Sequence, residues 1–242
     1  MRQLADHHPF WTVVLVAWLA GLAAVAGALA AHWEGSAETE GKRELIHGVV
    51  AFGGGILVAA VAFALTPMGM DLLSPWSMAA MFLAGGLVFC TLEVWLSRRG
   101  GSRAQLTAMM LDFVPEAIAL GAVFGHDPRL GILLALFICV QNLPEGFNAY
   151  RELAHAGTKP RVALLTLLVI SLLGPLGAGA GYVLLHDKMV LTAAIMAFAA
   201  GGILYLVFQD IAPQARMRRH WTPALGAVLG FMVGMAGEQI LG

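Results

Sequence analysis

The sequence predicts an all-α polytopic membrane protein, eight transmembrane helices forming one domain over residues 1–242. Three observations carry that expectation. Hydrophobic residues make up 59% of the chain and charged residues only 12%, about half the charged share of a typical soluble domain. The apolar residues fall into eight runs near the ~20 residues a helix needs to cross a bilayer: 11–31, 45–66, 76–97, 104–125, 130–150, 161–185, 189–210 and 221–241. The basic residues, finally, are sorted to alternate loops.

The first run ends in Ala28-Leu29-Ala30, which resembles a signal-peptide cleavage site. Its apolar core is longer than a secretory signal requires and only Arg2 precedes it as a basic residue, so we read it as a helix. The second run carries Ala51-Phe52-x-x-Gly55, repeated in the seventh as Ala197-Phe198-x-x-Gly201 at an offset of 146. The same offset relates Val61 to Val207 and Pro67 to Pro213. These two runs cross in opposite directions, which predicts an inverted repeat. Runs one to three then correspond to six to eight, with four and five between them, a 3+2+3 arrangement. Inverted repeats commonly place a substrate site near the midplane at their interface.

Glycine pairs in the third run (Gly85-Gly86) and Gly226, Gly230 and Gly234 in the eighth are expected to let helices pack closely. Trp11, Trp33, Trp76, Trp95 and Trp221 lie near run ends, as interfacial anchors do. Cys90 and Cys139 fall inside apolar runs and are expected to be buried packing residues, not a disulfide. Loops after runs one, three, five and seven hold Lys42, Arg43, Arg98, Arg99, Arg103, Arg151, Lys159, Arg161, Arg216, Arg218 and Arg219, eleven of the fourteen basic residues. Basic loops face the cytoplasm. Both termini are therefore expected outside, in a plasma (inner) membrane.

Runs four and five hold the chemistry. Asp112-Phe113-Val114-Pro115-Glu116 and Gln141-Asn142-Leu143-Pro144-Glu145-Gly146 both read polar-x-x-Pro-Glu near the middle of a span. A carboxylate there costs roughly 2.5–3.5 kcal/mol on insertion scales and marks a functional site by default. Asp112 and Glu116 are i and i+4 and share a helix face, as do Gln141 and Glu145. Pro115 cannot donate to the Leu111 carbonyl, nor Pro144 to that of Val140, so backbone oxygens are expected beside the carboxylates. Three carboxylates in low dielectric repel unless a cation or protons neutralise them. The bland explanation is protonated acids hydrogen-bonded across a helix pair. Two Pro-Glu units at matched depth favour one cation site instead.

The pair resembles the motif-bearing fourth and fifth helices of the ZIP (Zrt/Irt-like) family of divalent metal transporters. Gln141-Asn142-Leu143-Pro144-Glu145-Gly146 is close to that family's His-Asn-x-Pro-Glu-Gly form. Gly174-Pro175-Leu176-Gly177 is similar to its sixth-helix Glu-Pro-Leu-Gly. The resemblance implies a primary metal site at Asp112, Glu116, Gln141 and Glu145, with Asn142 toward a second metal bridged by the glutamates. It also implies alternating access of the elevator kind, helices one, four, five and six moving against two, three, seven and eight, in a homodimer. Three departures stand out. Asp112 replaces a common His, Phe113 a polar second-site ligand, and Gly174 the sixth-helix Glu. One metal, or one with a vestigial second, is the expectation. The His-rich loop often found between helices three and four is missing, since Ser97 to Arg103 is too short to sequester metal.

Oxygen ligands suit harder cations than a His/Cys site would. The family favours Zn²⁺, with Fe²⁺, Mn²⁺ and Cd²⁺ as further candidates. The metal is transported substrate; no permanently bound cofactor, no catalytic residue and no nucleic-acid partner is expected. An alternative is a proton-coupled carrier of another small solute, with Glu116 and Glu145 as relay. An intramembrane metalloenzyme is disfavoured, because no His-Glu-x-x-His occurs and no histidine reaches midplane depth. His47, Glu93 and Asp210 lie near cytoplasmic run ends, where departing metal could pass. Glu238, His126 and Asp127 lie at the opposite end and could attract cations.

Overall fold

The computed structural model describes residues 9–34, 39–98, 104–218 and 220–241. Among them the regular structure is entirely helical: α1 (Pro9–Glu34), α2 (Glu40–Ala60), α3 (Pro67–Leu72), α4 (Pro75–Arg98), α5 (Ala104–Phe124), α6 (Pro128–His155), α7 (Pro160–Ser171), α8 (Leu173–Leu185), α9 (Met189–Leu206), α10 (Ala212–Ala215) and α11 (Pro223–Leu241). Among the described residues, seven helical stretches are long and apolar enough to cross a membrane.

Proline sets many of the boundaries. α1, α4, α6, α7 and α11 each open on one, where its missing N–H is an orphan in any case and its fixed φ suits the first turn. Pro67 and Pro213 act differently. Each removes the donor to the carbonyl four residues earlier, and the preceding turn widens into a π-helix, Val61–Leu65 and Val207–Ile211. Thr66 N–H and Ala212 N–H then reach back five residues, to Val61 O and Val207 O. The two π turns stand 146 residues apart, the offset read from the sequence. Between α7 and α8, Pro175 and Gly174 interrupt the rod at Leu172.

By their closest backbone approaches the helices fall into two groups, which also pack on each other, α2 and α11 on α6 and α5 on α9. α1, α5, α6, α7 and α8 contact one another, and α2 pairs with α11 while α4 pairs with α9. Glycine makes the closest approaches. A Cβ on Gly146 would strike the Ala24 carbonyl, one on Gly181 the Ile118 carbonyl, one on Gly55 the Ala227 carbonyl and one on Gly201 the Phe82 carbonyl. All four backbone contacts lie inside a group. Between groups, Gly53, Gly234 and Gly237 meet side chains, those of Pro144, Phe137 and Leu136 among them.

The loop charges gather by end. Glu34 at the end of α1 pairs with Lys42 (3.3 Å) and with Arg151 of α6 (3.0 Å), and His220 pairs with Glu40 at the start of α2 (3.1 Å). The loops after the first, fifth and seventh runs therefore share one end of the bundle. The loop between α4 and α5 lies outside the described residues. At the other end Phe10, Tyr182, His186 and His126 form a chain of ring contacts. The five tryptophans singled out at run ends are at least half exposed. Cys90 and Cys139 are unpaired, as expected, but half-buried where full burial was expected.

Candidate metal centre

The candidate ligands sit where α5 and α6 pack together inside the first group. Asp112, Glu116, Gln141, Asn142 and Glu145 are all buried, none more than 5% exposed. Both helices run unbroken through their interior prolines, Pro115 and Pro144. The i, i+4 spacing puts each pair on one helix face, and the faces meet: Gln141 Nε2 donates to Glu116 Oε2 at 2.5 Å. Glu145 lies within the electrostatic reach of both Asp112 and Glu116.

The arrangement falls short of a closed cage. Among the described residues no three His, Cys, Asp or Glu side chains come together as a ready ligand set. The hydrogen bonds give the reason. Asp112 Oδ1 is turned onto the Phe113 N–H (2.8 Å), and Glu116 is held by Gln141. What remains is a set of buried oxygens with no hydrogen-bond partner among the described residues: both carboxylate oxygens of Glu145, Oε1 of Gln141 and Oδ1 of Asn142. Buried polar atoms are hydrogen-bonded in the great majority of cases, and burying an unpaired charge is costly. Four orphan oxygens on one turn of α6, beside two more carboxylates, have the chemistry of a hard-ligand cation site.

Asn142 is tied elsewhere. Its Nδ2 donates to the Ala20 carbonyl of α1 at 3.1 Å, so α1 also fixes the site. Phe113 is 1% exposed. Its ring end lies where Gly21 of α1 and Gly174 of α8 have no side chain, 2.9 and 2.8 Å from where their Cβ atoms would be. Two of the departures noted in the sequence, Phe113 and Gly174, thus form one interlocking contact. Gly21 and the Ala20 carbonyl escaped the sequence reading. A glycine opposite an aromatic ring, and a backbone acceptor, leave no local signal.

A family model described as ZIP Zinc transporter matches residues 102–241, more than half of the chain. The chain belongs to the ZIP family. This ZIP chain is 31% identical over 137 residues to Zinc transporter GufA of Myxococcus xanthus, covering 56% of this chain and 54% of that protein. To Zinc transporter ZIPB of Bordetella bronchiseptica it is 28% identical over 136 residues, 55% and 44% of the two chains. To Zinc transporter ZIP13 of Pongo abelii it is 26% identical over 154 residues, 60% and 47%. The matched part spans about half the length of these curated relatives.

Beside Glu145, a cavity of about 10 Å³, room for one water, is lined by Gly53, Pro144, Asn148, Ile211 and Gln214 among others. Gln214 joins two residues that the sequence placed near one end of the molecule. Its Nε2 donates to Asp210 Oδ1 and its carbonyl accepts from His47 Nδ1, both at 2.6 Å. Glu93 lies on α4 and has a buried oxygen without a hydrogen bond. At the opposite end Asp127 caps α6, accepting from the N–H groups of Arg129 and Leu130. That local bond accounts for Asp127 without a cation.

Proposed function

We propose that this ZIP protein moves a divalent transition-metal cation across the membrane by alternating access through a site on α5 and α6. Zn²⁺ is the first choice, with Fe²⁺, Mn²⁺ and Cd²⁺ as further substrates, and movement is toward the cytoplasm. The observation that carries this reading is the set of four partnerless buried oxygens on Gln141, Asn142 and Glu145, beside Asp112 and Glu116. Asp112, Glu116, Gln141 and Glu145 hold the ion. A modest rotation of Asp112 away from the Phe113 N–H, and of Gln141 from Glu116, adds their oxygens to those of Glu145. An incoming cation supplies the energy for that exchange, because it neutralises carboxylates that otherwise repel. Asn142 faces a second, remnant position, which the Phe113 ring and Gly174 leave without ligands.

The names of the relatives, all zinc transporters, support the class of cargo, and the all-oxygen ligand set widens it. The eight helices, α5 included, form a 3+2+3 inverted repeat with both termini outside. The two π turns at the common offset of 146 support that reading, as do the paired packings α2–α11 with α9–α4 and α1–α6 with α8–α5. In the alternating-access cycle the first group is the moving body, since its helices lock to each other by backbone but meet the second group through side chains. Released metal passes Gln214, Asp210 and His47 toward the basic end. His47 donates its Nδ1–H to Gln214, so Nε2 carries the free lone pair of the neutral ring. A homodimer in the plasma membrane completes the proposal.

Metal uptake into proteoliposomes tests the centre of it. Glu145→Ala and Asp112→Ala are expected to lower uptake at least about tenfold relative to wild type, the scale on which metal-site residues act. Equal uptake by all three proteins would overturn the site. Chelation of divalent metals is expected to abolish transport; solute or proton movement that survives it would favour the proton-coupled carrier.

A further inference from the structure

Away from the candidate metal centre, a lateral groove of about 740 Å³ runs between α2, the Val207–Ile211 π turn and α11. That volume falls inside the ~300–1,000 Å³ of sites that enclose small molecules. Its walls are apolar and open outward: Val58, Phe208, Val228 and Phe231 line it, with Phe208 69% and Val228 63% exposed. Its mouth is different. Arg216, Arg218 and Trp221 close the end where the basic loops gather. Arg216 and Arg218 are exposed and have no carboxylate partner among the described residues, while the nearby acids Glu40 and Glu44 are engaged with His220. Trp221, 86% exposed, stands at the same rim.

We propose that this groove binds one anionic phospholipid. An acyl chain lies along the apolar floor and the phosphate sits between Arg216 and Arg218, with Trp221 at headgroup level. The chemistry is complementary along the whole length, apolar at depth and cationic at the rim, and a basic pocket between membrane helices is a recognised headgroup site. A second copy of this chain is the poorer occupant. A two-fold contact brings the same patch against itself, and here it would set Arg216 and Arg218 against their own counterparts. Because the groove is walled by the π turn that carries Asp210, an occupying lipid also braces that turn. The inference does not depend on which metal, if any, the chain moves.

The test is native mass spectrometry of the full chain in detergent, titrated with phosphatidylglycerol or with phosphatidylcholine of the same acyl chains. Two arginines at the headgroup predict about a tenfold or greater preference for phosphatidylglycerol. Arg216→Gln/Arg218→Gln is expected to remove the preference. Val228→Trp, which fills the groove and leaves both arginines, is expected to remove retention of phosphatidylglycerol itself. Thermal midpoints without added lipid check that both variants fold. Equal retention of the two lipids by wild type overturns the proposal, as does a preference that persists in either variant. So does efficient cross-linking between copies through Val228→Cys in native membranes, which would give the groove to a second chain.

Discussion

In the proposed site, Asp112 is the ligand whose chemistry bears most on cation preference. It supplies oxygen where an imidazole is common in the family. Asp112→His is expected to raise preference for Zn²⁺ over Mn²⁺ several-fold in competition uptake, since imidazole suits the softer ion. An unchanged metal profile would remove Asp112 from the ligand set. Phe113 and Gly174 make a second, separable prediction. Gly174→Ala forces a methyl against the Phe113 ring and the Ala17 carbonyl, overpacking that should cost about 1–3 kcal/mol. Phe113→Ala in the same chain should recover part of that loss. A thermal-midpoint double-mutant cycle measures the coupling, and additive losses would mean that the two do not touch.

Among the elements, the glycine contacts separate positioning from plain stability. Gly146→Val pushes α6 off Ala24 of α1, and with it the Asn142–Ala20 hydrogen bond one turn away. Metal binding by titration calorimetry and the thermal midpoint should both fall. Gly226→Val acts on α2 and α11, outside the site, so its midpoint should fall with little change in metal affinity per folded molecule. Equal affinity losses in both would mean that α1 does not position the site. The elements themselves were largely legible in the sequence, because a spanning helix must satisfy its backbone internally and so declares itself as an apolar run. The π turns were not. Only their proline partners and the 146-residue offset were visible, since a π turn has no composition of its own.

At the scale of the molecule, two groups locked by backbone and joined by side chains predict a two-body motion. In a background with Cys90 and Cys139 replaced by alanine, Leu136→Cys/Gly237→Cys bridges α6 to α11 across the groups. Cross-linking that pair with a bifunctional thiol reagent should abolish uptake. Phe10→Cys/Tyr182→Cys, within one group, should leave most of it. Undiminished uptake with the first pair cross-linked would rule out motion of one group past the other.

By itself, the sequence determined the solvent, the helices and the candidate residues. Apolar runs need lipid, a carboxylate in such a run needs a reason, and i, i+4 spacing fixes a helix face. All of these are properties of one chain segment. Tertiary structure alone decided what meets what. It turned Asp112 onto its own helix and tied Gln141 to Glu116, leaving both Glu145 oxygens without a hydrogen-bond partner among the described residues. It also set Phe113 against two glycines from different helices and joined His47 to Asp210 through Gln214. Apart from the Asp112–Phe113 and Asp210–Gln214 bonds, which are local, those contacts link positions far apart in the chain, and helix periodicity carries no information across such distances.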